Sequence, residues 1–149
     1  SMTAVVATID IPVPRQRVWD LVMDPHGLER WVTIHRELLS ADEGAPRKGF
    51  SMEQRMSIRG APVTVSWELD EVDPPGLATW KGKGPARANA FIEYRLEEVN
   101  GGTRFHYTND FTPPMGLLGR VASKALMGGV PEREANASLE RLRALLVAD

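Results

Sequence analysis

Between Phe50 and Phe111 the chain repeats one pattern: every second residue is apolar, aromatic or small, and the residues between are mostly polar. Phe50, Met52, Gln54, Met56 and Ile58 stand opposite Ser51, Glu53, Arg55 and Ser57. Val63, Val65, Trp67 and Leu69 stand opposite Thr64, Ser66, Glu68 and Asp70. Ala88, Ala90, Ile92, Tyr94 and Leu96 alternate with Asn89, Phe91, Glu93, Arg95 and Glu97, and Thr103, Phe105, Tyr107, Asn109 and Phe111 follow the same rule. Successive side chains on a strand point to opposite faces, so a period of two means strands with one packed and one wet face. Gly60-Ala61-Pro62, Pro74-Pro75-Gly76 and Asn100-Gly101-Gly102 turn the chain between runs. Short turns between such strands give an antiparallel meander.

A sheet with one apolar face needs a cover. From Pro113 to Ala148, Leu118, Val121, Ala125, Gly128, Glu132, Ala135, Leu139, Leu142 and Leu146 fall on one line at steps of three and four. That spacing is one stripe of a long helix. The stripe is bulky at both ends and small in the middle, which leaves space over whatever it covers. Gly128-Gly129 and Pro131 are local stop and start signals. The unbroken phase points to one helix kinked there, with two nearly collinear helices as the alternative.

Upstream, Ala4 to Ile11 is β-branched and alternating and reads as a strand. Val18, Trp19, Val22 and Met23 give a short amphipathic helix after Pro14. Asp24-Pro25 caps a second short helix running to about Trp31. Glu37 to Ala41 reads as a weak strand, and Leu77 to Gly82 as a short one. The expected architecture is α+β. It is a curved antiparallel sheet of about seven strands, two short helices after the first strand, and a long C-terminal helix over a cavity.

The residues Arg17-Val18-Trp19-Asp20-Leu21-Val22, Asp24-Pro25 and Leu28-Glu29-Arg30-Trp31, in this order of elements, resemble the opening of the START-related helix-grip superfamily (SRPBCC). That superfamily includes polyketide cyclase/dehydrase-like and coenzyme-Q-binding proteins. The resemblance spans a single domain over residues 3–148. It implies a helix-grip fold and an apolar ligand, such as a lipid, polyketide or quinone, held between helix and sheet. The run Trp31-Val32-Thr33-Ile34-His35-Arg36 is more narrowly similar to actinobacterial proteins identified as the toxin half of a toxin–antitoxin pair, which implies action through a protein partner.

The residues themselves point to a pocket. Ala88 and Ala90 are small where their strand neighbours are large, and they would meet the small middle of the helix stripe at Gly128. Met52, Met56, Trp67, Tyr94, Phe105 and Tyr107 would ring the void, an adaptable apolar wall with polar tips. Trp31 either pins the second helix to the sheet or borders the cavity. Gln54, Asn109 and Glu132 are polar members of otherwise apolar lines. Gln54 and Asn109 either face a ligand or bond to strand ends and water. Glu132 either faces the pocket or is a solvated first-turn acid. His35 either reaches the pocket mouth or sits on a surface strand, and His26 and His106 are expected in solvent.

Composition limits the chemistry. Net charge is −2 over 149 residues, which gives no reason to expect a nucleic-acid partner. Without cysteine there is no disulfide, thiolate metal site or cysteine nucleophile. The histidine spacing makes no metal site, and neither a nucleophile elbow nor a Gly-rich phosphate loop is present. No cofactor is expected. No apolar run is long enough to span a membrane, and no secretory signal precedes the first strand, so a cytoplasmic protein is expected. Three functions fit: a carrier or sensor of an apolar small molecule, a cyclase-type enzyme using Glu132, Asn109 or Tyr107 to handle a proton, and a toxin-type regulator.

Overall fold

Alternation settles the sheet. In this computed structural model, which describes residues 4–58, 60–112 and 130–148, seven antiparallel strands take the order β1-β7-β6-β5-β4-β3-β2. They are β1 (Ala4–Ile11), β2 (His35–Ala41), β3 (Ser51–Ile58), β4 (Ala61–Asp73), β5 (Leu77–Lys83), β6 (Asn89–Val99) and β7 (Gly102–Thr112). The sheet is curved, and its packed face carries the expected residues. Met52, Val65, Trp67, Leu69, Tyr94, Leu96 and Phe105 are buried, whereas Glu53, Ser66, Glu68, Arg95 and Glu97 are exposed. The β6–β7 hairpin turns through Asn100 and Gly101 at positive φ, 53° and 80°. A primed hairpin turn needs such angles, which asparagine and glycine tolerate best.

Helix α1 (Arg15–Val22) follows β1 and buries Val18, Trp19 and Val22. The Asp24-Pro25 cap forms as its residues dictate: the Asp24 carboxylate accepts the His26 backbone N–H at 3.0 Å. The helix it starts is a 3₁₀ turn, Pro25–Gly27, running into α2 (Leu28–Trp31). Trp31 is 1% exposed. Its ring lies 6.0 Å from that of Tyr94 and 6.3 Å from that of Phe105, and those two meet edge-to-face at 5.4 Å. This aromatic knot fixes α2 against β6 and β7, with each pair contributing about 0.5–1.5 kcal/mol beyond area burial.

Helix α3 (Val130–Ala148) crosses the packed face and lies mainly against β1 and α2. Its lower half is a core stripe of Leu139, Leu142 and Leu146, each no more than 4% exposed. Gly128, the small residues before it, and the choice between one kinked and two collinear helices lie outside the described residues. No helix among the described residues is long and apolar enough to cross a membrane.

Candidate functional site

Where α3 stands off the sheet there is a cavity of about 400 Å³, within the usual size of small-molecule pockets, roughly 300–1,000 Å³. The register explains it. Across the sheet, Met52 pairs with Trp67, Trp67 with Gly82, Gly82 with Ala90, and Ala90 with Phe111. Gly82 lets the Trp67 indole lie low over it, and the small Ala90 beside it leaves the floor open. Ala88 borders the same space from the start of β6. Pro131, Glu134, Ala135, Ser138 and Leu139 face it from α3, and Val22, Met23 and Leu28 from the α1–α2 region.

The structure brings together Trp31, Met52, Gln54, Met56, Trp67, Ala88, Ala90, Tyr94, Tyr107 and Asn109, all of which line the cavity. His35 is not among the lining residues. It is 9% exposed, which corrects the reading of a surface strand position. Strand β2 begins at His35 and shifts register against β3 directly after it, so its side chain turns inward behind Gln54. Glu132 is exposed, which corrects the reading in which it faces the pocket. At about 100° per residue, Glu132 and Glu134 fall on opposite sides of the Ala135 line. The cavity lies on the Glu134 side, where Ser138 also projects. Sequence reasoning missed both. The signal available was the run from Pro131 through Glu134 to Ser138, at steps of three and four beside the aliphatic stripe.

Behind the wall runs a hydrogen-bonded chain, Trp67 to Gln54 to His35. An indole nitrogen can only donate. Trp67 Nε1 donates to Gln54 Oε1 at 2.9 Å, which turns the Gln54 amide nitrogen toward His35 Nδ1, also at 2.9 Å. An amide nitrogen can only donate as well, so Nδ1 accepts and His35 is neutral with its proton on Nε2. Burial pushes the His35 pKa below its ordinary 6.5, against the pull of nearby Glu29 and with the aid of Arg36. The chain thus has one direction, and it holds the Trp67 indole in place.

A second polar group ties α3 to the α2–β2 corner. The Thr33 backbone N–H donates to Ser138 Oγ at 3.1 Å, and the Thr33 hydroxyl bonds to the Glu134 carboxylate. On β7, Asn109 Nδ2 donates to the Tyr107 hydroxyl oxygen at 3.2 Å. Burial pushes the Tyr107 phenol up to about 12, partly offset by the bond from Asn109. Burial raises Tyr94 further still, with Tyr107 adding to it. Both are neutral phenols at physiological pH. Among the described residues, two buried side-chain atoms lack a partner: Trp31 Nε1 and Asn109 Oδ1. Each such atom costs about 1–3 kcal/mol when left unpaired. No group of three or more His, Asp or Glu among the described residues is arranged to hold a metal ion.

Comparison with known proteins agrees with this architecture. The sequence matches the family described as polyketide cyclase / dehydrase and lipid transport over residues 2–147. It is similar to the Mycobacterium tuberculosis protein named Toxin Rv0910, with 23% identity over 133 residues, covering 88% of this chain and 92% of the relative. Among solved structures, TTHA0849 from Thermus thermophilus superposes with a TM-score of 0.79 at 20% identity and 97% coverage of each chain. Ms6760 from Mycobacterium smegmatis superposes with a TM-score of 0.71 at 21% identity, covering 99% of this chain and 92% of that one. At these identities the structural likeness speaks to the fold alone.

Proposed function

The chain belongs to the polyketide cyclase / dehydrase and lipid transport family, and we propose that it binds an apolar small molecule in the cavity between α3 and the sheet. The observation that carries this reading is the cavity itself: about 400 Å³, walled by methionine, aromatic and aliphatic side chains with a few fixed polar groups, of which Glu134 alone is charged among the described lining residues. The proposed binding residues are Trp31, Met52, Gln54, Met56, Trp67, Ala88, Ala90, Tyr94, Tyr107 and Asn109. His35 acts behind them by orienting Gln54. The family description also covers cyclases and dehydrases, whose chemistry needs a group that exchanges a proton near neutral pH. Tyr107, held at about 12, stays protonated there, Glu132 faces solvent, and the one carboxylate among the described lining residues, Glu134, is bonded to the Thr33 hydroxyl, so binding is the stronger reading. Native mass spectrometry of the protein incubated with N-phenyl-1-naphthylamine, a neutral apolar probe, tests it. One added probe mass per chain is expected. An unliganded chain at saturating probe overturns the reading.

The name of the mycobacterial relative favours a second reading, a toxin-type regulator that acts through a protein partner. Its test is growth arrest on expression that is relieved by co-expressing the neighbouring gene. Normal growth at high expression removes it.

A further inference from the structure

Tyr107 and Asn109 stand two residues apart on β7 and so share its packed face. Both line the cavity. Their single mutual bond leaves a defined remainder. Asn109 gives its amide N–H to the Tyr107 oxygen at 3.2 Å. Its own carbonyl oxygen, Oδ1, is buried and unpartnered. The Tyr107 oxygen has accepted that bond, and its O–H proton meets no acceptor among the described residues. The pair therefore offers one free acceptor and one free donor, side by side. Native proteins leave few buried polar atoms unmatched, so a pair left this way on a cavity wall calls for a partner from outside the chain.

We propose that Asn109 and Tyr107 form a hydroxyl-recognition subsite in this cavity, and that its ligand is an uncharged molecule bearing a phenol or alcohol group. This rests on the reading of the cavity as a binding site. A hydroxyl donates to Asn109 Oδ1 and accepts from the Tyr107 O–H at once. An ether or ketone can only accept, and a hydrocarbon does neither. An ammonium donates but has no lone pair for Tyr107. A carboxylate can only accept, and it would enter a cavity whose one charged group among the described lining residues is another carboxylate, Glu134. Burying an unpaired anion there is far more costly than burying a neutral group. Trp31 Nε1, the other unpartnered buried atom, is a donor on the same wall. It suits a second oxygen on the same ligand.

The test is a matched pair of probes that differ only in the donor, 9-phenanthrol and 9-methoxyphenanthrene, titrated calorimetrically into wild type, Asn109→Leu and Tyr107→Phe at pH 7. Wild type is expected to prefer the phenol by about tenfold, the worth of one well-formed buried hydrogen bond. In Asn109→Leu the ratio of the two affinities should fall toward one. In Tyr107→Phe, which removes the O–H that either probe's oxygen can accept from, both affinities should fall while the preference for the phenol remains. Equal affinities in wild type, or a preference that survives in Asn109→Leu, overturn the subsite while leaving the cavity reading intact. Failure of both probes to bind wild type overturns the cavity reading and the subsite with it.

Discussion

Gly82 lies directly beneath the indole of Trp67: a β-carbon at Gly82 would come within 2.6 Å of Cζ3 and 2.7 Å of Cε3. The two residues face each other across β4 and β5. A bare backbone at Gly82 lets the ring lie flat across the sheet with its N–H on Gln54. Gly82→Ala should therefore push the ring up and stretch that bond. Overpacking of this kind costs about 1–3 kcal/mol. Urea denaturation should read the loss, and the tryptophan emission should shift with it. Unchanged stability and an unchanged spectrum would show that the ring does not depend on that gap.

Gln54 sits between two buried partners, so its removal orphans both. Gln54→Leu leaves Trp67 Nε1 without an acceptor and His35 Nδ1 without a donor. Each orphaned group costs about 1–3 kcal/mol. Trp67→Phe in the Gln54→Leu background removes one orphan, so the double variant should be more stable than the sum of the single effects requires. A double-mutant cycle measures this, and additivity to within about 0.3–0.5 kcal/mol would mean that the two side chains are not coupled.

The neutral state of His35 carries a pH signature. Its pKa in the folded protein lies below the ordinary 6.5, chiefly through burial. Between the two values the unfolded chain binds more protons than the folded one, so stability rises with pH. The contribution is fully present above 6.5 and is lost as pH falls from 6.5 through the folded-state pKa. Stability curves of wild type and His35→Gln between pH 8 and pH 5 should diverge in shape below about 6.5, with wild type falling more steeply. Parallel curves would mean that His35 charges in place without cost.

Ser138 holds the α2–β2 corner to α3 through the Thr33 backbone N–H at 3.1 Å. Ser138→Ala leaves that N–H without its partner and should destabilise the fold by about 1–3 kcal/mol. Hydrogen exchange at the Thr33 amide should accelerate more than exchange in the β6–β7 hairpin. Uniform acceleration throughout would assign the loss to global stability and not to this clasp.

Much of this was legible in residue order. Alternation along β6 placed Ala88, Ala90 and Tyr94 on one face because a strand has no other way to set out its side chains. The Asp24-Pro25 cap acts within a few residues, so it too could be read directly. The Trp67–Gly82 contact could not, because it depends on pairing between two strands and on a register shift between Leu69 and Glu71. His35 was obscured by the shift at the start of β2, where alternation breaks. Residue order leaves Glu132 open between pocket and solvent for a related reason, and the structure puts it in solvent. A stripe drawn along a helix fixes a direction only to within a side chain's width, and the cavity lies at one edge of the stripe, beside Glu134 and Ser138.

Ligand binding in the space above Ala90 is tested by filling that space. Ala90 is partly buried, with the cavity above it, so a larger side chain there can enter existing room. The measurement is the dissociation constant of N-phenyl-1-naphthylamine, read by its fluorescence, for wild type and Ala90→Phe, with the thermal midpoint of each as a check on folding. Saturable binding to wild type is expected, with at least about tenfold weaker binding to a folded Ala90→Phe, a loss of about 1.4 kcal/mol. Equal affinity in the two proteins would contradict binding in that space.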